Sequence, residues 1–226
     1  MSMANGLLVV FEGIDGAGKS TQIARLAAFV TSLGLECVSS REPTMGIYGR
    51  QLRESALQSR KSVEAEHQLL MLDRREHLAE LVMPALARGA VVVLDRYYFS
   101  SVAYQSGSTL SEAQILADNE AFARAPDLLF ILDLPINISL ARIGQRGSGA
   151  DAFESTETLT RCRDVFLRFA TLKYARLLDA TRDPIELAQS VRHSLLQRLT
   201  QDLPAAYAQK LRAQAALVER SGEFAR

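Results

Sequence analysis

The tightest constraint on this chain is an eight-residue run near its start, Gly13-Ile14-Asp15-Gly16-Ala17-Gly18-Lys19-Ser20. It fits the pattern of two glycines separated by four residues and followed by a lysine and a hydroxyl side chain. The run directly follows the apolar stretch 7–11 and opens a helical pattern reaching about residue 33, where Gly34 is a suitable stop. A strand, a glycine-rich turn and a helix N-terminus in that order converge backbone N–H groups on phosphate oxygens, and the helix dipole favours the anion. Lys19 supplies a point charge for the β- and γ-phosphates and Ser20 a hydroxyl ligand for Mg²⁺, with Thr21 completing the nucleotide-binding segment. The run therefore predicts ATP and Mg²⁺ as cofactors, and says little about what receives the phosphoryl group.

The rest of the chain alternates short apolar runs with longer helical patterns, the mark of an α/β fold with a parallel sheet. Strands are expected at 7–11, 36–40, 90–94, 128–133 and 176–179. Helical patterns cover 63–88, 112–124, 136–146, 156–172 and 184–199, and Pro84 should kink the first of these or mark its last turns. Val91-Val92-Val93-Leu94 is apolar without alternation, as in a strand covered on both faces. Residues 1–203 are read as one domain with a mobile lid near 142–154, where three glycines fall within a short charged stretch. Residues 204–226 form a helical extension, in which Tyr207, Leu211 and Val218 are expected to share one face.

Acidic and basic residues balance at 26 each, with an isoelectric point near 6.8. No global field favours polymeric nucleic acid or a membrane surface, so phosphate groups must be held by local cations. Cys37 and Cys162 lack metal-ligand spacing and read as reduced thiols. The run 7–11 is too short for a signal core or a membrane span. These features predict a cytoplasmic protein acting on small-molecule nucleotides.

A second carboxylate is expected beside the phosphate turn. Asp95 ends an apolar strand and is placed to hold Mg²⁺ or its waters. Arg96 follows it, where a hydrolytic ATPase would want an acid to orient water; a cation there suits an anionic acceptor. Asp133 ends a similar strand, but Leu134-Pro135 after it makes it look like a helix cap.

From about residue 7 to 199 the chain resembles thymidylate kinases. The matching pieces are Phe11-Glu12-Gly13, Arg41-Glu42-Pro43, Leu72-Asp73-Arg74, Pro84-Ala85-Leu86, Asp95-Arg96-Tyr97, Ser100-Ser101-Val102-Ala103-Tyr104-Gln105 and Phe153-Glu154. The resemblance implies the P-loop kinase fold, a five-stranded parallel sheet with helices on both faces. It implies that Asp15 hydrogen-bonds the sugar 3′-hydroxyl and that Arg53 and Arg96 grip the acceptor phosphate, a task suited to bidentate guanidinium geometry. Arg74 would reach the base O4, Ser101 and Gln105 would face the base edge near N3, and Tyr104 would sit where a 2′-hydroxyl would otherwise lie. Arg146 first, and Arg142 second, would supply lid charge to the transferring phosphate. Family members commonly form homodimers through helices flanking the sheet, and 63–86 supplies a long apolar-periodic helix.

The chain departs from the family at four places. Leu70 stands where a phenylalanine usually stacks on thymine, and Ser106-Gly107-Ser108 replaces a glycine-led segment. Ala152 stands in for a lid arginine, and Gly16 for an arginine of the phosphate turn. The expected reaction is phosphorylation of dTMP to dTDP, with another nucleotide or small phosphorylated acceptor, or a non-catalytic nucleotide-binding relative, as alternatives. A GTPase switch is disfavoured, because none of Asn5, Asn119 and Asn137 is followed by the lysine a guanine reader needs.

Overall fold

The computed structural model describes residues 6–57, 61–107, 109–145 and 155–220. Five strands, β1 (Leu7–Glu12), β2 (Cys37–Arg41), β3 (Val91–Asp95), β4 (Leu128–Asp133) and β5 (Ala175–Asp179), form one parallel sheet in the order β2-β3-β1-β4-β5. Each lies within about a residue of the run that predicted it. Every residue of β1 is buried, and successive side chains point to opposite faces, so both faces of the sheet are covered. The register places Phe11 opposite Asp95, and Asp95 opposite Arg41. Glu12, Asp95 and Arg41 thus share one edge of the sheet, the carboxyl ends of the strands, where α/β folds bind ligands.

Ten helical segments surround it among the described residues: α1 (Lys19–Ser32), α2 (Ile47–Leu57), α3 (Val63–His77), α4 (Met83–Ala87), α5 (Tyr98–Gln105), α6 (Glu112–Glu120), α7 (Ile136–Gln145), α8 (Thr156–Phe169), α9 (Pro184–Gln201) and α10 (Ala205–Arg220). Gly34 takes φ 72° just past α1, as a helix stop requires. Between α3 and α4 the chain stays helical through a π turn, Leu78–Val82, in which Met83 N–H bonds Leu78 C=O. The wider turn precedes Pro84, whose missing N–H falls in the opening turn of α4. Pro84 therefore marks the end of this long helix, which stops at Ala87.

The sequence reading missed α2 and α5. α5 is only eight residues long and carries Ser100 and Ser101, so it has little helical periodicity to read. It forms because Tyr98, Phe99, Val102 and Ala103 are buried together. α10 packs on α9 and buries Ala208, Leu211 and Ala215, with Val218 also against the core. Tyr207 is 54% exposed and off this stripe, which corrects the expected face. Gln214 on α10 donates to the Ser32 carbonyl at the end of α1 (3.3 Å), so the extension is docked. Among the described residues no helix is long and apolar enough to cross a membrane.

Candidate active site

β1 delivers the chain into the phosphate turn. Gly13 has φ 138°, and a Cβ there would lie 2.5 Å from the Leu132 carbonyl oxygen, so no side chain fits. Lys19 is only 7% exposed, and its ammonium donates to the Gly13 and Ile14 carbonyls (2.9 and 3.1 Å). Burial and the Arg96 charge together pull its pKa down to about 8, against the pull of Asp15, Asp95 and Glu12. The lysine thus folds back on its own loop, with its ammonium at the mouth of the glycine turn.

Asp95 stands where the sequence put it. Ser20 Oγ lies 3.2 Å from Asp95 Oδ2, and Asp95 Oδ1 is buried with no hydrogen-bond partner among the described residues. A buried carboxylate oxygen left unpaired beside a hydroxyl is a costly arrangement for a protein alone. A hydrated divalent cation would satisfy it, so this pair fits Mg²⁺. Asp133 does not compete and does not cap α7 with its carboxylate. Arg163 of α8 binds both its oxygens, at 2.6 and 2.9 Å.

A cavity of about 440 Å³ adjoins the phosphate turn. All eight residues expected at the acceptor line it: Asp15, Arg53, Leu70, Arg74, Arg96, Ser101, Tyr104 and Gln105. Arg96 joins the two sites. Its guanidinium donates to Asp15 (2.6 Å) and Ser100 Oγ (3.0 Å), reaches toward the Gly13 carbonyl (3.5 Å) and lies 5.0 Å above the Tyr104 ring. The Tyr104 hydroxyl also reaches Asp15, at 3.4 Å. Burial works against the Asp15 charge, but Arg96 and Lys19 overcome it and hold the carboxyl below its ordinary range. Arg53 donates to the Pro43 and Thr44 carbonyls, which ties α2 to the loop after β2.

Arg74 is 1% exposed, so it is a buried cation and not a surface charge of α3. Its Nε donates to Glu42 at 2.7 Å and its remaining N–H groups to Asn119 and, at 3.1 Å, to Ser101. Glu42 also receives His77 at 3.0 Å. With five N–H groups and these partners, Arg74 is fixed in place and still lines the cavity.

Arg142 lies in the last turn of α7 and donates to the Gly16 and Ala180 carbonyls, both at 3.2 Å. Residues 142–145 of the expected lid are therefore helical. Arg146, Phe153 and Glu154 lie outside the described residues.

The sequence reading gave no role to Glu12, the last residue of β1. It is fully buried and receives Tyr97 N–H (2.7 Å), Ser100 N–H (3.1 Å) and Ser100 Oγ (2.6 Å). Burial pushes its pKa up to about 7, although Arg96, these bonds and Lys19 pull the other way. Glu12 clamps the turn after β3 and holds Arg96 at φ 72°, a left-handed backbone unusual for a side-chain-bearing residue. The available signal was an acid closing an otherwise apolar strand. Glu42 lies just past β2, whose Cys-Val-Ser-Ser-Arg sequence is not apolar, so neither it nor Asn119 carries that signal.

Comparison with known proteins places this geometry. The family model described as thymidylate kinase matches residues 11–191. The chain is 48% identical to a thymidylate kinase of Akkermansia muciniphila over 193 residues, covering 85% of this chain and 93% of that one. It is 50% identical to one from Xylella fastidiosa strain M23 over 176 residues, covering 78% and 80%. A third, from Xanthomonas campestris pv. campestris strain B100, is 48% identical over 178 residues, covering 79% and 78%. With a phosphate turn, a paired Ser20 and Asp95, and an arginine-lined cavity at one sheet edge, the chain belongs to the thymidylate kinase family.

Proposed function

We propose that this chain transfers the γ-phosphoryl group of Mg·ATP to dTMP, giving dTDP and ADP. The observation that carries this is the position of Arg96, bonded to Asp15 of the phosphate turn and at the same time lining the neighbouring cavity. One guanidinium is thus within reach of both the donor site and an acceptor phosphate. Backbone N–H groups at the start of α1 and Lys19 would hold the ATP phosphates, and Ser20 and Asp95 would hold Mg²⁺, which supplies charge neutralisation when bound. The acceptor phosphate is already nucleophilic, so no strong base is needed, and the chain's task is positioning and charge stabilisation. Arg53 and Arg96 would take the acceptor phosphate, Asp15 the 3′-hydroxyl, and Arg74, Ser101 and Gln105 the base. Arg142, already against Gly16, and Arg146 would add charge from the lid side.

The test is kcat/KM for dTMP, dUMP, dCMP, dGMP and UMP. The expected order is dTMP first, dUMP weaker, and the other three much weaker. Leu70 meets the flat face of the base with aliphatic area only. An aromatic pair adds about 0.5–1.5 kcal/mol beyond area burial, so Leu70→Phe should tighten dTMP binding by about threefold to tenfold. A parent enzyme that prefers a purine or cytosine monophosphate would overturn the acceptor assignment and leave the fold-level kinase reading.

We also assign the outer face of the long helix to a second copy of the chain. Leu72 and Met83, eleven residues apart and 42% and 46% exposed, support this reading. Light scattering at micromolar concentration should give twice the chain's 24.9 kDa; a monomer mass would remove the assignment.

A further inference from the structure

One buried titratable side chain behind the cavity has had no part so far. His67, on α3, is 4% exposed. Its Nδ1 lies 3.1 Å from the amide oxygen of Gln105 on α5, and its Nε2 lies 3.1 Å from Asp118 Oδ2 on α6. Asp118 is held in turn by Gln114 Nε2 at 2.6 Å. The series runs from the exposed surface of α6, through the imidazole, to the amide that lines the acceptor cavity.

Chemistry leaves these groups few arrangements. An ionised carboxylate only accepts, so His67 Nε2 must carry a proton. Nδ1 is then either an N–H, in the imidazolium, or a lone pair, in the neutral ring. The N–H holds Gln105 by its oxygen and leaves the NH₂ for the cavity. The lone pair holds Gln105 by its NH₂ and leaves the oxygen. The two ends of the amide have nearly the same shape, so sterics do not choose between them; the hydrogen-bond network does. The choice matters for a pyrimidine. Thymine and uracil carry N–H at N3 and need an acceptor, whereas cytosine has a bare nitrogen there and needs a donor.

We propose that His67, fixed by Asp118, is a positioning residue that sets the polarity of the Gln105 amide and so decides which pyrimidine edge the cavity accepts. The inference rests on the reading above that Gln105 faces the base edge. With thymine bound, the ring is neutral, its Nε2–H is on Asp118, and Nδ1 accepts from the Gln105 NH₂. The amide oxygen then meets N3–H. That is the opposite end of the amide from the one 3.1 Å from Nδ1 in the structure, so the thymine-bound arrangement differs from it by a half-turn of the amide group.

Asp118→Asn tests this. Its carboxylate is at the surface, 33% exposed, so the change spares the core. Asparagine can donate to Nε2, which lets a neutral ring carry its proton on Nδ1 and present the wrong end of Gln105. The ratio of kcat/KM for dTMP over dCMP should fall about tenfold, and through KM for dTMP more than through kcat. Imidazole ¹⁵N shifts of the dTMP-bound parent should show the proton on Nε2 and a bare Nδ1, and those of the variant a growing Nδ1–H fraction. A ratio within twofold of the parent, or a parent with its proton on Nδ1 when dTMP is bound, overturns the proposal. Gln105→Leu separates the two levels. If it shifts the ratio while Asp118→Asn does not, only the role of His67 fails. If it leaves the ratio unchanged, the pocket reading fails and the proposal with it.

Discussion

Replacing Lys19 by alanine should leave a folded protein that transfers phosphoryl groups at least about 10³-fold more slowly than the parent, since a preorganised cation aimed at developing charge commonly contributes on that scale. The fold should survive because Lys19 is a burden on it. The ammonium is buried, its pKa is pulled down to about 8 by burial and Arg96, and its two hydrogen bonds go to carbonyls of a loop that already has its own backbone geometry. Alanine removes a poorly solvated charge and leaves the glycine turn intact. The measurements are single-turnover transfer with dTMP and thermal unfolding without nucleotide. Transfer within about tenfold of the parent, in a variant that melts cooperatively, would sink the assignment of the phosphate turn.

The second large effect is expected at Arg96, and glycine is the substitution that isolates it. Arg96 holds φ 72°, where glycine is at ease and alanine is not. Arg96→Gly therefore removes the guanidinium while preserving the backbone turn that Glu12 clamps through Tyr97 and Ser100. kcat/KM for dTMP should fall by about 10²–10³-fold, because a bidentate charged contact to the acceptor phosphate and its positioning are lost together. ATP affinity, carried by the turn and Lys19, should change much less. Equal losses of ATP and dTMP binding would show that the variant has damaged the phosphate turn itself, and would remove the acceptor role from Arg96.

Much of the fold could be read from the chain because its three central strands, β1, β3 and β4, are buried on both faces. A strand in that position must be apolar at every residue, and 91–94 and 128–132 are. The helices that escaped are those whose existence depends on neighbours. α2 leaves Ile47 half exposed and has a mixed sequence, and α5 is a single short turn-rich segment held by the burial of Phe99 and Val102. α6 was read four residues too long, because Phe122 turns out of the helix to lie under the Arg75 guanidinium, 3.8 Å from its ring centre. The site divides in the same way. The phosphate turn is contiguous, so spacing alone exposes it. The acceptor residues come from 15 to 105 and were gathered only by family likeness. What no pattern could give was the pairing: Glu42 with Arg74, Asn119 with Arg74, and His67 with Gln105 are partners across tens of residues, and each is an ordinary polar residue until the fold brings its counterpart.

The pair of Arg96 and Asp15 has a consequence for selectivity against small ions. The guanidinium has a carboxylate as a surrogate anion at 2.6 Å. The carboxylate offsets the Arg96 charge, which should weaken its pull on a lone anion such as orthophosphate or chloride. An incoming phosphate must share or displace that surrogate. A lone ion has nothing to offset the loss, whereas a nucleotide bound as proposed would bring a sugar hydroxyl as a new partner for Asp15 and a base to fill the far end of the cavity. On the acceptor reading proposed above, the internal ion pair would work as a threshold, favouring a phosphate that arrives with the rest of the nucleotide.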